Sequence, residues 1–163
     1  MPRIEFDELP GDARVWIFSA ARKLTEPEQA RLLAEVDAFI NQWGAHAVPL
    51  TAGRDLVYGQ FLFIAVDQRA AGPSGCSIDA LVRRMQELQE EIDVELVNHA
   101  PVLFRQGEAI ARVPRDAFAR LADAGKVGPD TTVFNNTLTS LGEVRAGRWE
   151  VPAADSWHAQ AFF

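Results

Sequence analysis

The stretch LVYGQFLFIAV, residues 56–66, decides how the first two-thirds of this chain folds. Residues 56–58 and 61–66 read as β-strands, and Gly59-Gln60 between them suits the Gly-X pair of a tight hairpin turn. One long bent strand is the alternative. Upstream, residues 15–18 (VWIF) form a short continuous apolar run, the pattern of a buried strand. Thr25 and Glu28 then form a capping-box signature. Behind them Leu32, Val36, Phe39, Ile40 and Trp43 recur at spacings of three and four, one face of a helix that Gly44 can end. Downstream, Ile78, Leu81, Val82, Met85, Leu88 and Ile92 make the apolar stripe of a second helix.

Residues 102–105 and 109–113 flank Gln106-Gly107 as a further hairpin. A short helix around Phe118, Leu121 and Ala122 stops at Gly125, and a last strand is expected at 131–134. The order to Arg105 is therefore β-α-β-β-α-β. That order predicts an α+β fold, a ferredoxin-like plait with two helices on one face of an antiparallel sheet. A flavodoxin-like parallel sheet would need a helix between Tyr58 and Phe61, where there is no room. The expected organisation is a ferredoxin-like unit over 1–105, with a C-terminal extension over 106–163 packed on it.

Composition narrows the function. The 163 residues are 48% hydrophobic and 24% charged, as expected of a globular chain, and the net charge is −7. An acidic surface repels phosphate backbones, and a tight cationic pair such as Arg83-Arg84 falls short of a basic patch. No nucleic-acid partner is expected. The longest apolar run, FLFIAV, is too short to span a bilayer, and MPRIEFDELPGD lacks the apolar core of a signal peptide. The expectation is a cytoplasmic protein without a membrane partner. The lone cysteine, Cys76, forbids an internal disulfide and a cysteine-based zinc cage.

That cysteine lies in GPSGCSID, 72–79. Ser77 reads as a helix N-cap with Asp79 in the first turn, so helix initiation accounts for most of the stretch. The functional reading is an anion- or thiolate-holding loop at a helix N-terminus. Asp79 opposes it, and Asp67 can bring a second negative charge nearby. No P-loop is present, since no lysine occurs between Lys23 and Lys126, and no cysteine-phosphatase loop, since the next arginine, Arg83, lies seven residues past Cys76, already inside the helix. His46, His99 and His158 share no metal-binding spacing, so no metal or cofactor is expected. His46 follows the first helix, where it suits the negative helix end. The tail holds Trp149, Trp157, Phe162 and Phe163; such aromatics either fill a core groove or make a homodimer contact. Asn135-Asn136 is either turn chemistry or an amide pair that binds a ligand.

Several strings together resemble a family of small bacterial proteins: RVWIFSAARKLT, the W-x-x-H of Trp43 and His46, SGCSID, VFNN and WEVPAADSWH. Some members carry the label "ABC transporter ATPase". This chain has neither a Walker lysine motif nor an LSGGQ-like signature, so the likeness implies a shared fold unit and no activity. Within 108–157, Leu121, Gly125, Val127, Asp130, Thr131, Val133 and Phe134, with Trp149 and Pro152, are similar to a GYF-type adaptor module. The usual aromatic-Gly-Pro opening is absent and 135–147 is long for that pattern. This resemblance implies a peptide-binding aromatic groove.

The expected function is a noncatalytic module that binds a small polar ligand or a peptide. Its expected site lies near the 74–79 loop, using Ser74, Gly75, Cys76, Ser77 and Asp79. The tail would close it, with Asn135, Asn136, Trp157 and His158. With Asp67 and Asp79 nearby, a cationic ligand fits as well as an anionic one. The alternative is a thiol enzyme with Cys76 as nucleophile and His46 or His158 as base.

Overall fold

The computed structural model describes residues 3–69 and 71–163. It is an α+β fold. Strand β1 (Arg14–Ser19) leads to helix α1 (Glu26–Gln42), a small hairpin β2 (Gly44–Ala45) and β3 (Val48–Pro49), and strands β4 (Thr51–Val57) and β5 (Phe61–Asp67). Helix α2 (Gly75–Ile92) follows, then β6 (Val102–Gln106), β7 (Ala109–Val113) and α3 (Arg115–Asp123). The chain ends with β8 (Thr132–Phe134), α4 (Leu141–Arg145), β9 (Glu150–Pro152) and α5 (His158–Phe162).

Tyr58 and Gly59, both at positive φ, form the turn of the β4–β5 hairpin, so the bent-strand alternative is not what forms. Thr25 caps α1 with the reciprocal box that its spacing predicts. Bonds from Arg22 and from the Thr25 amide hold the Glu28 carboxyl down at about 2. A second such box starts α2, one turn earlier than expected. Ser74, not Ser77, is the N-cap, and Ser77 is its N3 partner, which moves Asp79 out of the first turn.

Strand β5 lies between β1 and β4, antiparallel to both. Its side chains alternate between two cores. Leu62, Ile64 and Val66 face α1 and α2, with Leu32, Val36, Ile40, Leu81, Met85 and Leu88. Phe61, Phe63 and Ala65 face the opposite way, onto Leu103, Phe134, Leu138, Leu141 and Trp149. A strand buried on both faces is apolar at every position rather than at alternate ones, and all seven residues of β5 are buried.

The second layer departs from the expected plait. Residues 102–105 do not join the first sheet. β6 is the centre of another, with order β7-β6-β8-β9, and its two edges are taken by the β7 hairpin and by β8. The expected boundary at 105/106 thus falls inside β6. The Trp149 ring joins the two layers, with its centroid 4.8 Å from Phe61 and 4.9 Å from Phe63 and Phe134. A third cluster, with Phe104, Phe118 and Val133, packs α3 and the tail on the second sheet.

A candidate functional site beside strand β1

The expected site divides. Ser74 and Ser77 bond each other: Ser77 Oγ accepts from Ser74 N–H at 2.7 Å, and Ser74 Oγ accepts from Ser77 N–H at 3.2 Å. The Ser77 carbonyl accepts from Trp43 Nε1 at 2.8 Å, which ties α2 to the end of α1. Gly75 has no positive φ, and a methyl group added there would meet nothing within 4 Å, so neither backbone strain nor a close approach explains it. Cys76 and Asp79 are exposed. Asp67 is engaged by the Arg69 guanidinium at 2.7 Å, and Arg69 holds its carboxyl below the usual range. His46, at positive φ, is exposed at the tip of the β2–β3 hairpin, and no hydrogen bond joins Cys76 to a histidine among the described residues.

Asn136, Trp157 and His158 converge elsewhere. They line a cavity of about 300 Å³ with Ser19, His99, Arg115 and Thr137, floored by Pro101, Leu103 and Phe134. A second cavity of about 260 Å³ shares His99, Asn136 and Thr137 and continues along Arg14–Phe18 to Val82 and Val97. The two cavities adjoin through these shared residues, and β1 contributes Arg14–Phe18 to one and Ser19 to the other; the pair is termed the β1 groove. Asn135 acts as a turn former, accepting from Thr137 N–H at 3.1 Å. Asn136 Oδ1 accepts from Trp149 Nε1 at 2.9 Å, while its Nδ2 has no partner among the described residues.

His158 is the most enclosed of these groups, only 1% exposed. Its Nδ1 lies 2.9 Å from Ser156 Oγ, and its ring stacks on Trp157 with centroids 3.9 Å apart. Burial, with Arg115 adding repulsion, lowers its pKa to about 4, so the imidazole is neutral at pH 7. Arg115 lies over the Trp157 ring at 4.8 Å, and Trp157 Nε1 is buried without a partner. Ser19, 2% exposed, has a hydroxyl with no bond among the described residues.

The charge of this groove is unlike that of the chain. No carboxylate lines either cavity; the charged residues are Arg14 and Arg115. Neither arginine makes an ion pair among the described residues, and Arg14 Nε is buried without a partner. A wider cleft of about 980 Å³, near Tyr58 and Arg105, is lined by the carboxylates Glu26 and Glu108 and has its arginines engaged: Arg22 pairs with Glu28, Arg105 with Glu150 and Arg112 with Glu95, while Lys23 makes no ion pair among the described residues. Sequence reasoning missed Ser19, His99 and Arg115 as site residues. They come from three separate elements with no shared spacing.

Among the described residues, no three or more His, Cys, Asp or Glu are grouped to hold a metal ion, and no helix is long and apolar enough to cross a membrane. No family model, curated protein or solved structure matches the chain.

Proposed function

We propose that this is a noncatalytic binding protein whose site is the β1 groove, not the 74–79 loop, and whose ligand is an anion with an apolar body. The observation that carries this reading is the pair of unpaired arginines in a groove without carboxylates, on a chain of net charge −7. A carboxylate at Arg115 would satisfy a guanidinium whose one hydrogen bond among the described residues is to the Ala100 carbonyl, at 3.2 Å, beside its stacking on Trp157. The unpartnered Asn136 Nδ2 and Trp157 Nε1 supply neutral donors, and Leu103 and Phe134 an apolar floor. A thiol enzyme finds less support, since Cys76 lies outside the groove and a histidine with a pKa near 4 is a poor general base at pH 7.

The order β1-β5-β4 with α1 and α2 on one face also supports reading residues 14–92 as a ferredoxin-like plait that lacks its fourth strand. The likeness to the small bacterial family and to a GYF-type module is proposed on the same footing.

Benzoate, benzamide and benzylammonium test the reading, because they share a ring and differ in charge. Intrinsic tryptophan fluorescence should report saturable binding of benzoate alone, and Arg115→Ala should weaken it by about tenfold, the loss of one charge-assisted pair. Equal response to all three probes, or benzoate binding untouched by Arg115→Ala, would overturn it.

A further inference from the structure

Beyond the short antiparallel bridge that Ser140 makes with Arg14, the outer edge of β1 has an open stretch. Val15 N–H points away from β5 and donates to the Thr139 carbonyl at 2.8 Å, so by antiparallel alternation Ile17 and Ser19 also point their N–H and C=O outward. Ala21 N–H, two residues further on, donates to the Glu95 carbonyl at 2.9 Å. Between these two bonds the N–H and C=O groups of Ile17 and Ser19 have no partner among the described residues. Both residues are only 2% exposed, and they line the two halves of the groove. Buried backbone groups are nearly always paired, so two adjacent outward positions left open inside a groove call for an occupant.

We propose that the groove receives a short, extended acidic peptide of a partner protein, added beside β1 as the plait's missing strand. This rests on the proposed function and specifies its ligand. Peptide carbonyls accept from Ile17 and Ser19 N–H, and peptide N–H groups donate to their carbonyls. Charge selects the partner: Arg14 lies at one end of the open edge and Arg115 at the other, both without a carboxylate. A five-residue segment in extended form spans roughly 17 Å, enough to cover the open positions and place an acidic side chain toward each end.

The test uses a pool of blocked pentapeptides Glu-X-X-X-Glu, with X drawn from Val, Thr, Leu and Phe, incubated with the full chain and read by mass spectrometry after size exclusion. Members should be retained, and the tightest should slow amide exchange at Ile17 and Ser19. Replacing its Glu by Lys, or N-methylating the amides that face β1, should each weaken it by about tenfold or more. Equal binding of the N-methylated peptide would overturn strand addition. If benzoate binds and no pentapeptide is retained, this inference fails and the anion-binding reading stands; if neither binds, both fail. Protection of the same amides by concentration-dependent dimerisation would make a second copy the occupant and would also overturn the proposal.

Discussion

At the scale of single residues, His158 and the Ser74–Ser77 pair carry opposite kinds of information. His158 is buried and neutral. Its pKa falls from 6.5 to about 4, so between those values the unfolded chain binds a proton that the native state refuses. Its contribution to stability is complete above about pH 6.5 and declines as the pH falls toward 4. The slope approaches about 1.4 kcal/mol per pH unit in that window. Urea denaturation across the window should show that slope flattened in His158→Gln; an unchanged slope would contradict the burial argument. Ser74→Ala, by contrast, should cost about 1 kcal/mol, as for an ordinary N-cap, and leave benzoate affinity unchanged. A weaker benzoate complex in that variant would return the site to the loop. Ser77 was legible as cap chemistry because serines before an apolar stripe signal a helix start. Which of the two serines caps was not legible, because both spacings permit a cap and only the fold shows Ser77 buried beneath Trp43.

Among elements, β5 and β6 explain what the sequence could reveal. A hairpin between β4 and β5 was readable from turn chemistry, though its turn takes its positive φ angles at Tyr58 and Gly59 rather than at the expected Gly59-Gln60; the helices were readable from their apolar stripes. The FLFIAV run was readable as a strand, but a pattern cannot name what covers it on either face. That cover is the second sheet, held by Trp149 against Phe61 and Phe63. β6 looks like the fourth strand of a plait because local pattern does not encode which edge a strand selects. Its choice of β7 and β8 is a long-range packing outcome. Trp149→Ala should therefore cost about 3–5 kcal/mol, measured by chemical denaturation, through a cavity between the layers. It should also weaken benzoate binding, since Asn136 loses the Trp149 Nε1 donor that orients it. A loss below 1 kcal/mol, roughly that of a surface change, would contradict the two-layer account.

For the whole molecule, the tail is packed inward. Phe162 lies 4.8 Å from Phe118, centroid to centroid, and Trp157 and His158 wall the groove. Trp149 is buried and Trp157 and Phe162 are half-buried, as core filling expects, while Phe163 is 43% exposed. Deleting 156–163 should lower the melting temperature and abolish benzoate binding, while light scattering finds no change in subunit number; a change in that number would make the tail an oligomer contact. The candidate site was half legible. Asn136, Trp157 and His158 stood out by residue type, whereas Ser19, His99 and Arg115 join them only through the fold. The most direct measurement is a backbone amide shift map of the full chain titrated with benzoate. Shifts should cluster at Ser19, His99, Arg115, Asn136 and Trp157, with 74–79 silent. Shifts centred on 74–79, with the groove silent, would contradict the β1 groove as the site.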